Sequence, residues 1–335
     1  MHETYDPKVT PWEVNEENFP RDAGGDEQFL FLVRYAVLAP SNHNAQPWKF
    51  AVSEDRIHVF VDKTRWLRVA DADQRGLHLS VGSALENLLI AAEHFGFGAR
   101  VAHVPAPSNE ELAAEVRLAA GGKPSAFRPA RLFKAIPMRH TNHKTYDAKV
   151  VPETDLKRLA EAVVEEGITL HIIGDVETRR RLDELVVEGD ARQFSDASWR
   201  EELAHWIGQG VFGASWLISK TAQLATTHMN LAKGLVKKDT DLLMGAPLVG
   251  VIGSRVDDRV SQIQAGQALE RIALAATCAG VRIQPMSQLL EVPDLKAEVG
   301  KLLPGGAYPQ ITFRLGYAVP EKEHTPRRPL EEVLA

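Results

Sequence analysis

The part of the sequence best suited to chemistry is a polar run at residues 39–48, which lies between two apolar stretches. It reads APSNHNAQPW, and because its two prolines suit neither a helix nor a strand, we predict a loop. Its amide and hydroxyl side chains can both donate and accept hydrogen bonds, which suits the edge of a heteroaromatic ring. On these residues alone, an ordinary surface turn is an equal alternative.

A second polar cluster begins at Arg139 and reads RHTNHKTYD over residues 139–147. A guanidinium group can bind phosphate through two parallel hydrogen bonds, and a neighbouring hydroxyl or backbone N–H adds a further donor. His140 and His143 could also form a metal pair, but no cysteine and no Glu-x-x-His sequence lies nearby, so we predict no metal site.

Composition and charge are those of an ordinary globular protein. Of 335 residues, 44% are apolar and 25% are charged, and the net charge of −6 comes without a long basic run, which argues against nucleic acid and anionic membranes as partners. No apolar run approaches the roughly 18 residues that span a bilayer, and the acidic N-terminus does not resemble a signal peptide. We therefore predict a soluble cytoplasmic protein.

The one cysteine, Cys278, excludes an internal disulfide, and its alanine-rich surroundings predict a buried structural thiol.

Two helical segments, residues 82–96 and 266–280, repeat one another. When the first is shifted by 184 positions (266 minus 82), the glycines at both ends, a leucine, a glutamate and three alanines coincide. Two long units indicate an internal duplication of the fused-dimer type rather than a solenoid. We therefore divide the chain into a first half at 1–127, with a polar N-terminal arm at 1–26, and a second half at 128–335.

Local patterns predict the main elements of both halves. They indicate a helix at 27–38, strands at 48–53 and 56–62, a helix at 152–166 and a strand at 168–173. Alternating strands with flanking amphipathic helices predict an α+β fold with antiparallel-rich sheets. An insertion at about 194–244 has no counterpart in the first half and carries Trp199, Trp206, Trp216 and Met229.

The pattern A-P-S-x-x-N-x-Q-P-W after the first long helix resembles the nitroreductase family of FMN-dependent flavoproteins. From about residue 27, nearly the whole chain resembles the fused, two-half, Acg-like members of that family. The family's phosphate motif, R-[HR]-[ST], matches residues 139–141. Its segment x-P-[IM]-x-G beside the flavin resembles residues 284–288, although the usual glycine is replaced here (Ser287, Gln288). The resemblance implies a nitroreductase-like fold duplicated in one chain, an intrachain pseudo-dimer that we expect to be a monomer.

The resemblance implies a set of FMN-binding residues in four groups. They are Ser41, Asn42, His43, Asn44 and Gln46 at the ring; Arg139, His140, Thr141 and His143 at the phosphate end; Pro285, Met286 and Ser287 beside the ring; and Arg327 and Arg328 returning to the phosphate. Without the resemblance, the last two would form a solvated tail, and residues 284–288 a plain helix-to-strand turn.

The two halves carry different parts of this set. The 39–48 loop has no counterpart in the second half, and the 139–141 motif has none before the first helix, where residues 15–26 hold Arg21 as their one positive charge. The family places each flavin between a phosphate motif and a ring loop from opposite subunits. A fusion with one copy of each can therefore assemble a single FMN site between its halves.

Flavin chemistry belongs to the cofactor, so we predict no catalytic residue. The resemblance implies an oxidoreductase that takes hydride from NAD(P)H and passes it to nitro or quinone acceptors by a ping-pong route, with the insertion at 194–244 as a lid. An FMN storage protein without turnover is the main alternative, because one of two sites is lost and the lid restricts access. A flavin-free structural descendant is the third, favoured if the loop and the basic residues fail to converge.

Overall fold

The chain builds two four-stranded antiparallel sheets with the same strand order. The computed structural model describes residues 11–335 apart from Glu54, residue 210 and residues 212–238 and 322–323. The first elements are α1 (Gly25–Ala36), β1 (Trp48–Ser53), β2 (Arg56–Val61), α2 (Arg75–His94), β3 (Phe97–His103) and β4 (Leu112–Ala120). They are followed by α3 (Ala130–Ala135), α4 (Glu153–Glu161), β5 (Ile168–Ile173), α5 (Val176–Ser195), α6 (Ala197–Gly208), β6 (Leu248–Ser254), α7 (Arg259–Cys278), β7 (Arg282–Pro285), α8 (Pro293–Leu302), β8 (Tyr308–Gly316) and α9 (Leu330–Val333). The strand orders are β1-β2-β4-β3 and β5-β6-β8-β7, which confirms the predicted α+β fold.

The two repeat helices, α2 and α7, cross each other, and most of their residues are buried. A Cβ atom on Gly82 would lie 2.0 Å from the carbonyl oxygen of Ile263, and one on Gly266 would lie 2.1 Å from that of Leu79. These two contacts are equivalent, because both pairs of counterparts differ by 184 positions (266 minus 82, 263 minus 79). The backbones thus touch at a pseudo-twofold axis where only glycine fits. The internal duplication predicts this intrachain pseudo-dimer.

Several helix boundaries differ from their predictions, and α7 begins at Arg259 rather than at residue 266. Helix α2 starts at Arg75 rather than residue 82, because the carboxylate of Asp71 accepts the backbone N–H groups of Gly76 (2.7 Å) and Leu77 (2.8 Å) at its beginning. Helix α4 ends at Glu161 rather than residue 166, where the chain turns towards β5 through β-branched residues 163 and 164.

The thiol of Cys278 is exposed, so the prediction of a buried structural thiol is wrong. Cys278 ends the last turn of α7, and this turn rises out of the core: Thr277 is half-buried and Gly280 is exposed. The thiol donates to the carbonyl oxygen of Arg131 at 3.5 Å. An alanine-rich sequence predicts a buried helix, but it does not show where the helix leaves the core.

Within the described part of the chain, no helix is both long and apolar enough to cross a membrane.

Candidate functional site

Three distant segments of the sequence meet around one cavity beside α7 and β7. The 39–48 loop contributes Pro40, the basic motif contributes residues 139–141, and β7 contributes Pro285. The rest of the lining comes from Leu269, Ala273, Thr277, Val281, Arg282 and Ile283. The cavity is therefore the candidate site.

A larger cavity of about 340 Å³ lies between α3, α4 and the end of α7, next to Cys278. Its described lining includes Phe127, Arg131 and Arg158 but none of the residues predicted to bind a ligand. Size alone therefore does not identify the site.

Arg139 forms part of the cavity wall and is almost fully buried. Its Nε lies 3.7 Å from Oε1 of Glu270, beyond hydrogen-bond distance. Over the described residues, Nε of Arg139 and Nε of Arg282 are buried donors that have no hydrogen-bond partner. Buried donors without acceptors cost free energy, and a bound anion is one way in which a protein resolves that cost. The two guanidinium groups at this cavity therefore fit the phosphate group of a cofactor.

Glu270 faces Arg139 from α7 and has no exposed surface. Burial raises the pKa of Glu270 to about 7, although the charge of Arg139 acts in the opposite direction. Its repeat counterpart, Glu86 (270 minus 184), is equally buried but accepts two hydrogen bonds from Arg128 (2.6 and 3.0 Å) and forms an ion pair with Arg271. Burial alone would raise the pKa of Glu86, but these two charges outweigh it and lower the pKa to about 2. The two equivalent carboxyl groups thus have opposite electrostatic surroundings.

His140 belongs to a stack of three rings that joins both ends of the described chain to the basic motif. Trp12 stacks on His324 with 3.8 Å between ring centroids, and His324 stacks on His140 at 3.7 Å. The Nδ1 atom of His140 lies 3.1 Å from the carbonyl oxygen of Met138, so this nitrogen carries the proton. Burial, with the positive charges of Arg139 and Arg327 and the neighbouring His140, lowers the pKa of His324 to about 3. Both imidazoles are therefore neutral near pH 7, because burial also lowers the pKa of His140.

The segment after Thr141 is fixed against the second sheet. Thr141 forms a backbone bridge with Ile283, while His143 lies 3.1 Å from the amide of Gln284. Arg314 has no exposed surface and donates to Gln284 (2.7 Å) and to the carbonyl oxygen of residue 144 (2.7 Å). His143 thus contacts β7 and lies outside the cavity lining. Among the residues that the structure describes, no three His, Cys, Asp or Glu side chains come close enough to hold a metal ion.

The 39–48 loop is a strained turn. The backbone φ angles of His43, Asn44 and Gln46 are +48°, +52° and +53°, in the left-handed region that residues other than glycine rarely adopt. The hydroxyl of Ser41 accepts the backbone N–H of Gln46 at 2.9 Å, and the backbone N–H of Asn42 donates to Ser80 on α2 at 3.2 Å. Strain of this kind persists where the surroundings fix it, and it is common at ligand sites.

The C-terminal arginines bind this loop. Nη1 of Arg327 donates to Oδ1 of Asn44 at 2.8 Å, and Nη2 donates to the carbonyl oxygen of Leu38 at 3.3 Å. The backbone N–H of Arg328 donates to Oε1 of Gln46 at 2.6 Å, and its Nη1 donates to the carbonyl oxygen of Gln46 at 3.0 Å. Arg327 is 3% exposed and Arg328 is 5% exposed. The alternative that these two arginines form a solvated tail is therefore wrong. The structure therefore places both arginines behind the loop rather than in the cavity lining.

The segment after β7 connects to the loop through Glu291. Its carboxylate accepts hydrogen bonds from Asn42 (3.4 Å), Ser287 (2.7 Å) and Gln193 on α5 (2.6 Å). Burial raises the pKa of Glu291. The backbone N–H and C=O of Met286 are both hydrogen-bonded to residue 312, so Met286 extends the second sheet. Glu291 thus ties two predicted ring-binding segments to each other.

The described part of the insertion packs against the same loop. Trp199 and Trp206 on α6 form an apolar cluster with Ala45, and Nδ2 of Asn44 donates to the carbonyl oxygen of Val211. Residues 210 and 212–238, including Trp216 and Met229, lie outside the described residues.

Comparisons with known proteins agree with this architecture. No protein-family model matches the chain. A Mycobacterium tuberculosis protein named provisionally as an NAD(P)H nitroreductase is 29% identical over 317 residues, which is 90% of each chain. The protein named acg from the same organism, with the same provisional assignment, is 27% identical over 314 residues, or 90% of this chain and 93% of the relative. The crystal structure of a protein from Anabaena variabilis, described provisionally as a nitroreductase, superposes at a TM-score of 0.53 over 95% of this chain and 92% of that one, with 11% identity.

The duplicated α+β fold and these full-length similarities define one class of protein. The chain resembles the nitroreductase family in sequence and in fold. Within that family it is similar to the Acg-like proteins along nearly its whole length.

Sequence reasoning missed four residues that shape the site: Trp12, Glu270, Glu291 and His324. One signal was available for Glu270. The 184-residue shift aligns it with Glu86, and the next position holds Asn87 in one copy and Arg271 in the other. Both copies keep the glutamate, but only the second has a basic residue next to it. This difference at a buried position indicates a functional difference between the copies.

Proposed function

We propose that this chain binds one FMN in the cavity beside α7 and β7 and acts as an NAD(P)H-dependent oxidoreductase of the nitroreductase type. The observation that carries the proposal is the convergence of the 39–48 loop, residues 139–141 and Pro285 around one cavity, at which the Nε atoms of Arg139 and Arg282 are buried. The relatives named as NAD(P)H nitroreductases support the reaction class.

In this proposal Arg139 and Thr141 bind the phosphate, and residues 41–46 and 285–287 lie at the ring. FMN, when bound, supplies the redox chemistry by taking hydride from NAD(P)H and reducing a nitro or quinone acceptor. The chain's own residues bind and orient the cofactor and exclude water. The stack of Trp12, His324 and His140 closes the phosphate end, and α6 covers the loop as the described part of a lid.

The structure supports one FMN rather than two, because the pseudo-symmetric position is already filled. The α7 residues that line the cavity, 269, 273 and 277, correspond to 85, 89 and 93 on α2. There, Glu93 accepts hydrogen bonds from Ser125 (2.6 and 2.8 Å) and from Arg128 (2.8 Å). The segment that joins the two proposed halves, 1–127 and 128–335, therefore occupies the second site.

The first experiment is a visible spectrum of the purified protein, followed by NADPH and NADH under argon. Flavin absorption that bleaches with either nucleotide supports the oxidoreductase, with at most about one FMN per chain. Two FMN per chain would contradict the single site. A colourless protein that takes up no added FMN would overturn the flavin proposal and favour the flavin-free descendant.

FMN storage without turnover is the second candidate. The burial of Asn44 and Gln46 against the C-terminal arginines and the packing of α6 on the loop favour it, because both restrict access to the ring end. Flavin that stays oxidised under both nucleotides, in protein that releases FMN on unfolding, would support storage over turnover.

We also propose a monomer, since the chain supplies both sides of the interface. Light scattering should then give a mass near 37.0 kDa.

A further inference from the structure

The buried carboxyl group of Glu270 lies next to the proposed phosphate site. Glu270 has no exposed surface, and its Oε1 is 3.7 Å from Nε of Arg139. Within the described chain, neither carboxyl oxygen of Glu270 makes a hydrogen bond that satisfies the usual geometry. The guanidinium that would bind a phosphate therefore also faces a buried carboxyl group.

The internal duplication shows what a fully paired carboxyl group looks like at this position. Glu86, the counterpart of Glu270, is held by Arg128, Arg271 and the amide of Gln267 (3.0 Å). Across the pseudo-twofold axis, Asn87 occupies the position that corresponds to Arg271 (271 minus 184). An asparagine supplies no charge, so Glu270 depends on Arg139 as its nearest cation among the described residues.

We propose that Glu270 is a positioning residue that directs Arg139 towards the phosphate site and takes up a proton when a phosphate monoester binds there. This inference rests on the proposed function, because it assumes that Arg139 binds the phosphate of FMN.

Glu270 and a bound phosphate compete for one cation, Arg139. A dianionic phosphate on Arg139 places negative charge near Glu270, and like charges at short range favour the protonated form of a carboxyl group. The pKa of about 7 means that the unliganded protein holds Glu270 in a mixture of both forms near neutral pH. When Glu270 is ionised it partly neutralises Arg139, so the phosphate binds less tightly as the pH rises. Binding must then take up a proton, because binding and titration are linked.

Other groups around Glu270 do not titrate in the same range. Arg139 and, farther away, Arg327 are cations at all relevant pH values. From α2, Asn87 is uncharged, and Glu86 is ionised because its pKa is about 2. The imidazoles of His140 and His324 have lowered pKa values and stay neutral. The phosphate of FMN has its own second pKa near 6, which affects every variant equally.

The test compares FMN affinity of the wild type and Glu270→Gln between about pH 6.5 and about pH 8.5, by fluorescence titration. We expect the wild-type Kd to rise roughly tenfold more than that of the variant, since one linked proton allows at most a factor of ten per pH unit. Riboflavin, which lacks the phosphate, should show no such difference. Glu161→Gln, which removes an exposed carboxyl group on α4, should behave like the wild type.

Calorimetry of the wild type in two buffers of different protonation enthalpy provides a second measurement that needs no variant. It should show net uptake of roughly half a proton near pH 7. Parallel pH profiles for wild type and Glu270→Gln, or no proton uptake, would overturn the inference while leaving FMN binding intact. Absence of FMN binding at every pH would overturn the proposed function, and the inference with it.

Discussion

Arg327 donates a hydrogen bond of 2.8 Å to the side chain of Asn44, although 283 positions separate the two residues. Both side chains are buried, and the same guanidinium also donates to the carbonyl oxygens of residues 38 and 326. The geometry of the proposed ring loop therefore depends on the C-terminal segment.

Replacing Arg327 with alanine should destabilise the protein by about 2–3 kcal/mol. The change leaves buried acceptors at Asn44 and residue 38 without their donor, and an unsatisfied buried group costs its full desolvation energy. Urea unfolding measures the change. The matched control is Arg180→Ala on α5, where the side chain is 67% exposed and the expected change is within about 0.5 kcal/mol. Equal stabilities for the two variants would contradict the role of Arg327.

Replacing Arg139 with alanine should weaken FMN binding by about 1.5–3 kcal/mol, the usual value of a charge-assisted contact. Riboflavin affinity should change much less, because the lost contact is to the phosphate. Arg131→Ala, at the larger cavity near Cys278, is the control and should bind FMN like the wild type. An unchanged FMN affinity for Arg139→Ala would place the phosphate elsewhere.

A methyl group at the helix crossing should be strongly destabilising. Gly266→Ala places a Cβ atom 2.1 Å from a backbone carbonyl oxygen of α2, so both helices must move apart. We expect a loss of about 3 kcal/mol or more, at or above the upper end of the usual cost of overpacking, and a similar loss for Gly82→Ala. Gly208→Ala on α6 has open space around it and should be neutral or slightly stabilising. Thermal unfolding distinguishes these outcomes, and a fully stable Gly266→Ala protein would be inconsistent with the close contact.

The Glu86 cluster should make the protein sensitive to acid. Its folded-state pKa of about 2 lies below the ordinary value of 4.5, so its ionised form stabilises the fold above that value. This stabilisation is lost as the pH falls from about 4.5 towards about 2, and it amounts to about 3 kcal/mol. Glu86→Gln should be less stable at neutral pH and should lose less further stability on acidification. Urea unfolding at several pH values tests this, and an identical acid slope in both proteins would refute it.

The sequence predicted those features that depend on short stretches of chain. Strands β1, β2 and β5 followed from alternating apolar residues, and the pseudo-dimer followed from a repeated helix. The burial of Arg327 and Arg328 could not be deduced from local properties, because arginines near a terminus are usually exposed and become buried only where distant acceptors exist. The roles of Glu291 and of the stack of Trp12, His324 and His140 could not be predicted for the same reason. Each is defined by contacts across more than 180 positions or by side chains from three elements.

The hydrogen bonds between the loop and the C-terminal arginines also set an order of events in the cell. A ribosome adds about 5–20 residues per second, so Asn44 is synthesised between about 15 s and about a minute before Arg327. For that interval the loop lacks the residues that fix its left-handed turn. Cofactor loading should therefore follow the synthesis of Arg327.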